Sequence, residues 1–150
     1  MHIQDVQPGD TAIIDALMHS AVTTSVRLGK VEMVGALENV RQNLHWAQNN
    51  VNSVVHLKYT NNAGIVGVIL IKNFWNLCSL FVDPAAQRQG IGSALLTEAI
   101  RRCVSLNDRG HVKVNSAPNA VPFYQARGFS IIDGHPRRGT SFPMILHLDS

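Results

Sequence analysis

The 150-residue chain has only two cysteines, Cys78 and Cys103, set 25 positions apart. That spacing excludes a disulfide framework and any CxxC metal or redox motif, and it leaves two reduced thiols in apolar surroundings. The histidines His2, His19, His45, His56, His111, His135 and His147 are scattered. None forms HxxxH or HExxH, which argues against a zinc site. Charged residues are scarce, 15% against 45% hydrophobic, a balance that folds rather than staying disordered. The longest apolar run, Ile65 to Ile71, is strand-sized and far short of the roughly 20 residues a membrane helix needs. Asp5 and Asp10 fall where a secretory signal would be uninterrupted and apolar, so no targeting segment is read and the expected compartment is the cytoplasm. The length suits one hydrophobic core and hence one domain over residues 1–150.

Positive charge is unevenly placed. Residues 1–50 carry three basic side chains (Arg27, Lys30, Arg41) against five acidic ones, whereas residues 51–150 carry ten against five. The excess is spread thinly, with Arg101–Arg102 and Arg137–Arg138 the only adjacent pairs. A nucleic-acid face would show a denser stripe with interleaved aromatics, so a compact anion such as a phosphorylated cofactor fits better.

Periodicity gives the organisation. His2 to Val6 alternates as a short strand, and after the turn Pro8-Gly9-Asp10, Asp10 is placed to cap a helix with Ile13, Ile14, Leu17, Met18 and Ala21 on its apolar face. A second helical pattern runs through Val34, Leu37, Val40 and Leu44 and stops near Asn49-Asn50. Val54 to Tyr59 and Ala63 to Ile71 read as a hairpin, and Leu77 to Val82 as a third strand of the meander. A helix over about Gly90 to Leu106 follows, with Ile91, Leu95, Ala99 and Cys103 on one face, ended by Asn107-Asp108-Arg109-Gly110. His111 to Val114 is a strand, Ala120 to Arg127 a short helix, and Phe129 to Ile132 and Met144 to Leu148 are the last strands. The order β-α-α-β-β-β-α-β-α-β-β predicts a mixed α/β sheet with helices on both faces.

The most informative segment runs from Leu80 to Leu96. A strand enters a turn bearing Gly90 and Gly92, and the turn opens directly into a helix. Free N–H groups at a helix start, with the helix dipole behind them, form an anion site, and glycine lets a ligand approach the backbone closely. The loop is neither GxGxxG nor a P-loop, which disfavours a dinucleotide or nucleoside-triphosphate site.

Gln87-Arg88-Gln89-Gly90-Ile91-Gly92 matches the Q/R-x-x-G-x-G/A signature of the GCN5-related N-acetyltransferases (GNAT), and Leu80-x-Val82-x-Pro84 and Ser93-Ala94-Leu95-Leu96 match its flanks. Downstream, Ala120-Val121-Pro122-Phe123-Tyr124-Gln125-Ala126-Arg127-Gly128-Phe129 resembles that family's A-x-x-F/L-Y-x-x-x-G-F segment. The resemblance implies one GNAT domain with a mostly antiparallel sheet of about seven strands. It implies an acetyltransferase that moves an acetyl group from acetyl-CoA to a primary amine by direct transfer in a ternary complex, without a metal. On that resemblance Gln87 and Arg88 and the backbone of Gln89, Gly90, Ile91, Gly92 and Ser93 hold the pyrophosphate, Phe81 and Val82 pair with the pantetheine arm, and Tyr124 protonates the leaving thiolate. Phe123 is read as core.

The sequence departs from the family in two places. Histone-type members carry a glutamate where Asn76 stands here, and an amide cannot act as a base. That duty then falls to an ordered water or to a histidine such as His19 or His56. The family's common asparagine, seven residues before the tyrosine, is Ala117 here; Asn115 and Asn119 flank it and are candidates for the pantetheine amides. The resemblance places the acceptor between about Thr23 to Lys30 and the loop Asp133 to Ser141, where Arg137 and Arg138 could meet a carboxylate. A small amine or amino-acid-like acceptor is the leading expectation. A protein or peptide acetyltransferase and a non-catalytic acyl-CoA-binding sensor are the alternatives, and nucleic acid and membrane partners are not expected. Members are often dimers, so a homodimer is compatible.

Overall fold

A computed structural model describes residues 2–25, 30–132 and 141–148. The elements are β1 (Ile3–Asp5), α1 (Thr11–Ser25), α2 (Lys30–Gln48), β2 (Val54–Asn61), β3 (Gly64–Lys72), β4 (Asn76–Val82), α3 (Ile91–Val104), β5 (His111–Ser116), α4 (Val121–Gln125), β6 (Ser130–Ile131) and β7 (Phe142–His147). Their order is the one the periodicity predicts. The strands form one seven-stranded sheet, β1-β2-β3-β4-β5-β7-β6, antiparallel except where β4 meets β5.

The Val/Ile-rich β3 is buried over six consecutive residues because helices cover both faces of the sheet. Ile69 and Ile71 pack with Leu57, Leu95, Ala99 and Cys103 on the α3 side. Val68 packs with Ile14, Leu17, Met18, Val40 and Leu44 on the α1/α2 side. Gly67 fixes the distance between β3 and α3, because a Cβ there would stand 2.9 Å from Leu95 Cδ1 and 3.0 Å from Ile91 Cγ2. The predicted face of α3 is buried as read. On α1, Ile14, Leu17, Met18 and Ala21 are buried, but Ile13 is 53% exposed and Val22 is buried as well. Val34 of α2 is also exposed, at 55%.

Asp10 does not cap α1. It closes a 3-10 turn over Pro8–Asp10, its carboxylate accepting from the Gln7 backbone N–H at 2.8 Å and pairing with Lys58 Nζ at 2.6 Å. The pairing anchors the α1 entrance to β2.

The feature that makes a site is a split in the sheet. β4 and β5 pair only at Asn76↔Lys113 and Leu77↔Val114, and among the described residues no pairing joins them beyond that point. β5 continues along β7 through Ser116↔Phe142, while β4 continues along β3 through Val82↔Gly67. A bulge in β4, where Leu70 faces Ser79 but Ile71 faces Leu77, leaves Cys78 without an opposite residue just where the strands part. Bulges bend and twist a strand, and this one turns β4 at the mouth of the opening.

Candidate active site

Two chambers open at the split. One, of about 620 Å³, is lined by Leu80 and Val82 of β4, by Gln87, Arg88, Gly90, Ile91, Gly92 and Ser93, and by Asn119, Ala120, Phe123, Tyr124 and Arg127. The other, of about 390 Å³, lies against α1 and α2; Ala21, Val22, Asn39 and Val40 meet Ser79 and Phe81 of β4 and Asn115 of β5 there. Leu80, Val82, Gln87, Asn119, Ala120 and Tyr124 line both.

The loop between β4 and α3 is built from local interactions. The Asp83 backbone N–H still donates to Val66 O at 2.8 Å, and the Asp83 carboxylate accepts from Ala85 N–H at 2.9 Å, which stops the strand and starts a 3-10 turn. Ala86 is buried and pins that turn. Gln87 Nε2 donates to Val82 O at 3.3 Å. Arg88 then takes a left-handed φ of +67° and Gly90 one of +77° before α3 begins. The first turn of α3 closes with Ala94 N–H donating to Gly90 O at 3.0 Å. The N–H groups of Ile91, Gly92 and Ser93 have no intrahelical acceptor, and they sit where these residues line the larger chamber. A Cβ at Gly92 would stand 3.6 Å from Phe123 and from Val82, so the missing side chain keeps this corner open. Gln89 is exposed and lines neither chamber.

Tyr124 is 6% exposed and packs edge-on against Phe123 (5.2 Å) and Phe129 (5.3 Å). Burial pushes its phenol above the ordinary tyrosine value, so it keeps its proton. Phe123 is only half-buried and faces the larger chamber, which adds a site role to the core role read for it. Arg127 lines the same chamber, and nothing in the motif reading pointed to it.

Ser79 is 5% exposed, and its Oγ has no hydrogen-bond partner among the described residues. Cys103 is buried on the core face of α3, and burial pushes its thiol up to about 12. Cys78 is less enclosed than the sequence suggested. It sits at the bulge, lines the smaller chamber, and donates to Asn76 O at 3.4 Å.

The base candidates are not gathered here. His19 is exposed on α1. His56 lies on β2 in a separate hollow of about 290 Å³ with Thr11 and Gln48. Glu98 is committed to Arg101 and Arg102 on α3, whose guanidinium groups hold its carboxyl down at about 2. Arg137 and Arg138 lie outside the described residues, as does much of each stretch expected to wall the acceptor.

A family model described as an Acetyltransferase (GNAT) domain matches residues 30–145. The chain belongs to that family and is an acetyl-CoA-dependent N-acetyltransferase. It is similar to the uncharacterized N-acetyltransferase YafP of Escherichia coli (strain K12), at 26% identity over 133 residues, covering 88% of this chain and 83% of that one. Its fold is shared with a GCN5-related N-acetyltransferase from Rhodopseudomonas palustris, at TM-score 0.79 and 16% identity, covering 97% of this chain and 94% of that one. It is shared as well with the PaiA N-acetyltransferase from Thermoplasma acidophilum in complex with coenzyme A, at TM-score 0.78 and 16% identity, covering 97% of each chain. The larger chamber suits that coenzyme, since it offers the N–H groups at the start of α3, a corner cleared by Gly92 and two arginines.

Proposed function

We propose that the enzyme acetylates a small amine or an amino-acid-like molecule by direct transfer in a ternary complex. The observation that carries this reading is the position of Tyr124, whose side chain lines the phosphate-side chamber and the α1/α2-side chamber at once. The volume of the second chamber, about 390 Å³, matches a small molecule, and its wall mixes Val22, Val40 and Phe81 with the neutral polar Asn39, Ser79 and Asn115.

Acetyl-CoA brings the acetyl group as an activated thioester. The N–H groups of Ile91, Gly92 and Ser93, backed by the α3 dipole, receive the pyrophosphate, with Gln87, Arg88 and Gly90 beside them. The edge of β4 beyond Leu77 is not spent on β5, so Phe81 and Val82 have main-chain groups to offer the pantetheine amides. Asn115 and Asn119 line the opening from the other side. The acceptor amine forms its N–C bond as the C–S bond breaks. Tyr124 Oη passes its proton to the departing sulfur, and the amine's surplus proton returns through ordered water to the Tyr124 phenolate, which restores the phenol. A phenol kept protonated by burial suits that role. The free thiols of Cys78 and Cys103 suit a reducing, cytoplasmic setting.

The test is thiol release from acetyl-CoA against polyamines, amino acids, aminoglycosides, arylamines and lysine peptides. Turnover confined to a class of small amines is the expected result. Turnover of lysine peptides alone would replace the small-molecule reading with a peptide one. Acetyl-CoA binding with no turnover on any amine would favour a sensor.

A further inference from the structure

The geometry points to a second phosphate-binding element outside the strand–loop–helix motif. We propose that the Arg127 guanidinium binds a phosphate of the coenzyme, and that Ser93 and Phe123 are the residues that position it. The proposal rests on the reading that the larger chamber holds the coenzyme.

Arg127 Nε donates to Ser93 Oγ at 3.1 Å, Nη1 donates to Phe123 O at 2.9 Å, and the guanidinium carbon lies 4.0 Å over the centre of the Phe123 ring. These three contacts fix a long, rotamer-rich side chain before any ligand arrives, which lowers the ordering cost of binding. The guanidinium has five N–H donors, and two are used here. The group is half-buried, and among the described residues no carboxylate lies within ion-pair distance of it. A partly desolvated cation held rigid without a counter-ion is arranged for an anion supplied from outside.

The chemistry of that anion follows from what shares the chamber. Ser93 is itself a residue of the first turn of α3, so the bond from Arg127 ties the cation to the helix end whose N–H groups face the same space. A phosphate, with oxygens for both, satisfies the backbone donors and the guanidinium together. Arg127 does not line the chamber against α1 and α2, which separates it from recognition of the acceptor.

Calorimetric titration of CoA and of 3′-dephospho-CoA into wild type, Arg127→Gln, Arg127→Lys and Ser93→Ala tests this, with Arg109→Gln as an equal loss of charge far from the chamber. Arg127→Gln is expected to raise the CoA Kd about 10- to 100-fold, as loss of charge-assisted bonds to phosphate would. Arg127→Lys, which keeps charge but not the planar fork, should fall between. Ser93→Ala should weaken binding about threefold in the wild-type background and not at all beside Arg127→Gln, the signature of acting through Arg127. If Arg127→Gln weakens CoA but not dephospho-CoA, the contact is to the 3′-phosphate; if it weakens both alike, the contact is to the pyrophosphate. A CoA Kd equal in wild type, Arg127→Gln and Arg127→Lys overturns the proposal alone. Wild-type protein that binds no CoA overturns the coenzyme reading of the chamber, and the proposal with it.

Discussion

Tyr124 stands where the two chambers meet, buried against Phe123 and Phe129 with its phenol held in the protonated form. Replacing it by phenylalanine keeps that packing and removes only the proton donor. Tyr124→Phe should lower kcat by about 100-fold, the lower end of what a positioned acid supplies, and leave the acetyl-CoA Kd unchanged. Steady-state kinetics beside calorimetry checks both halves, and unchanged turnover would remove Tyr124 from the chemistry. That this residue shares a chamber with Gln87, Arg88 and residues 90–93 follows motifs visible in the sequence, because the loop is set locally, by a strand, a turn and a helix start in direct succession. Arg127 and Ser79 were not. Arg127 acquires its place through Ser93, 34 positions earlier in the chain, and Ser79 through its pairing with Leu70 beneath α1 and α2. No local pattern announces contacts of that kind. Phe123 packs against the core as read, and the fold adds a second contact, its ring lying under the Arg127 guanidinium.

Among the elements, α3 packed on β3 determines where the larger chamber lies, and Gly67 is the residue that lets the two touch. Gly67→Ala would drive a methyl into Leu95 and Ile91, both enclosed in the core and unable to yield freely. The expected cost is about 1–3 kcal/mol of stability, from overpacking, seen as a lower midpoint in urea unfolding at an unchanged m value. A midpoint equal to wild type would mean that α3 is free to ride outward. The α1 face shows where periodicity alone misleads. The buried stripe includes Val22 and leaves Ile13 in solvent, so the predicted face is slightly rotated from the observed one. Asp10 shows a second limit, since an acidic residue before a helix reads as its cap, but a proline-started 3-10 turn and Lys58 claim the carboxylate first.

Across the whole molecule, the strand and helix order was legible from hydrophobic periodicity, whereas the split between β4 and β5 leaves no periodic signature and is seen in the strand pairing. Stability should also depend on pH through His56, which burial holds down at about 4 although Asp10 partly opposes the shift. A histidine whose folded value is depressed stabilises the protein fully above the unfolded value of about 6.5, and that contribution is lost as pH falls through 4. Urea midpoints should therefore fall between about pH 6.5 and 4, by at most about 1.4 kcal/mol per unit from this group. His56→Asn should flatten that slope, and an identical slope in the variant would assign it elsewhere. The proposed reaction requires acetyl-CoA to enter the opening between β4 and the start of α3. Calorimetric titration of acetyl-CoA into wild type and Gly92→Leu examines that point, because a side chain at Gly92 would fill the corner against Phe123 and Val82. The expected result is one molecule bound per wild-type chain and binding weakened by at least roughly tenfold in Gly92→Leu, the effect of filling a shaped cavity. Equal affinity in the two proteins, or no binding by either, would contradict it.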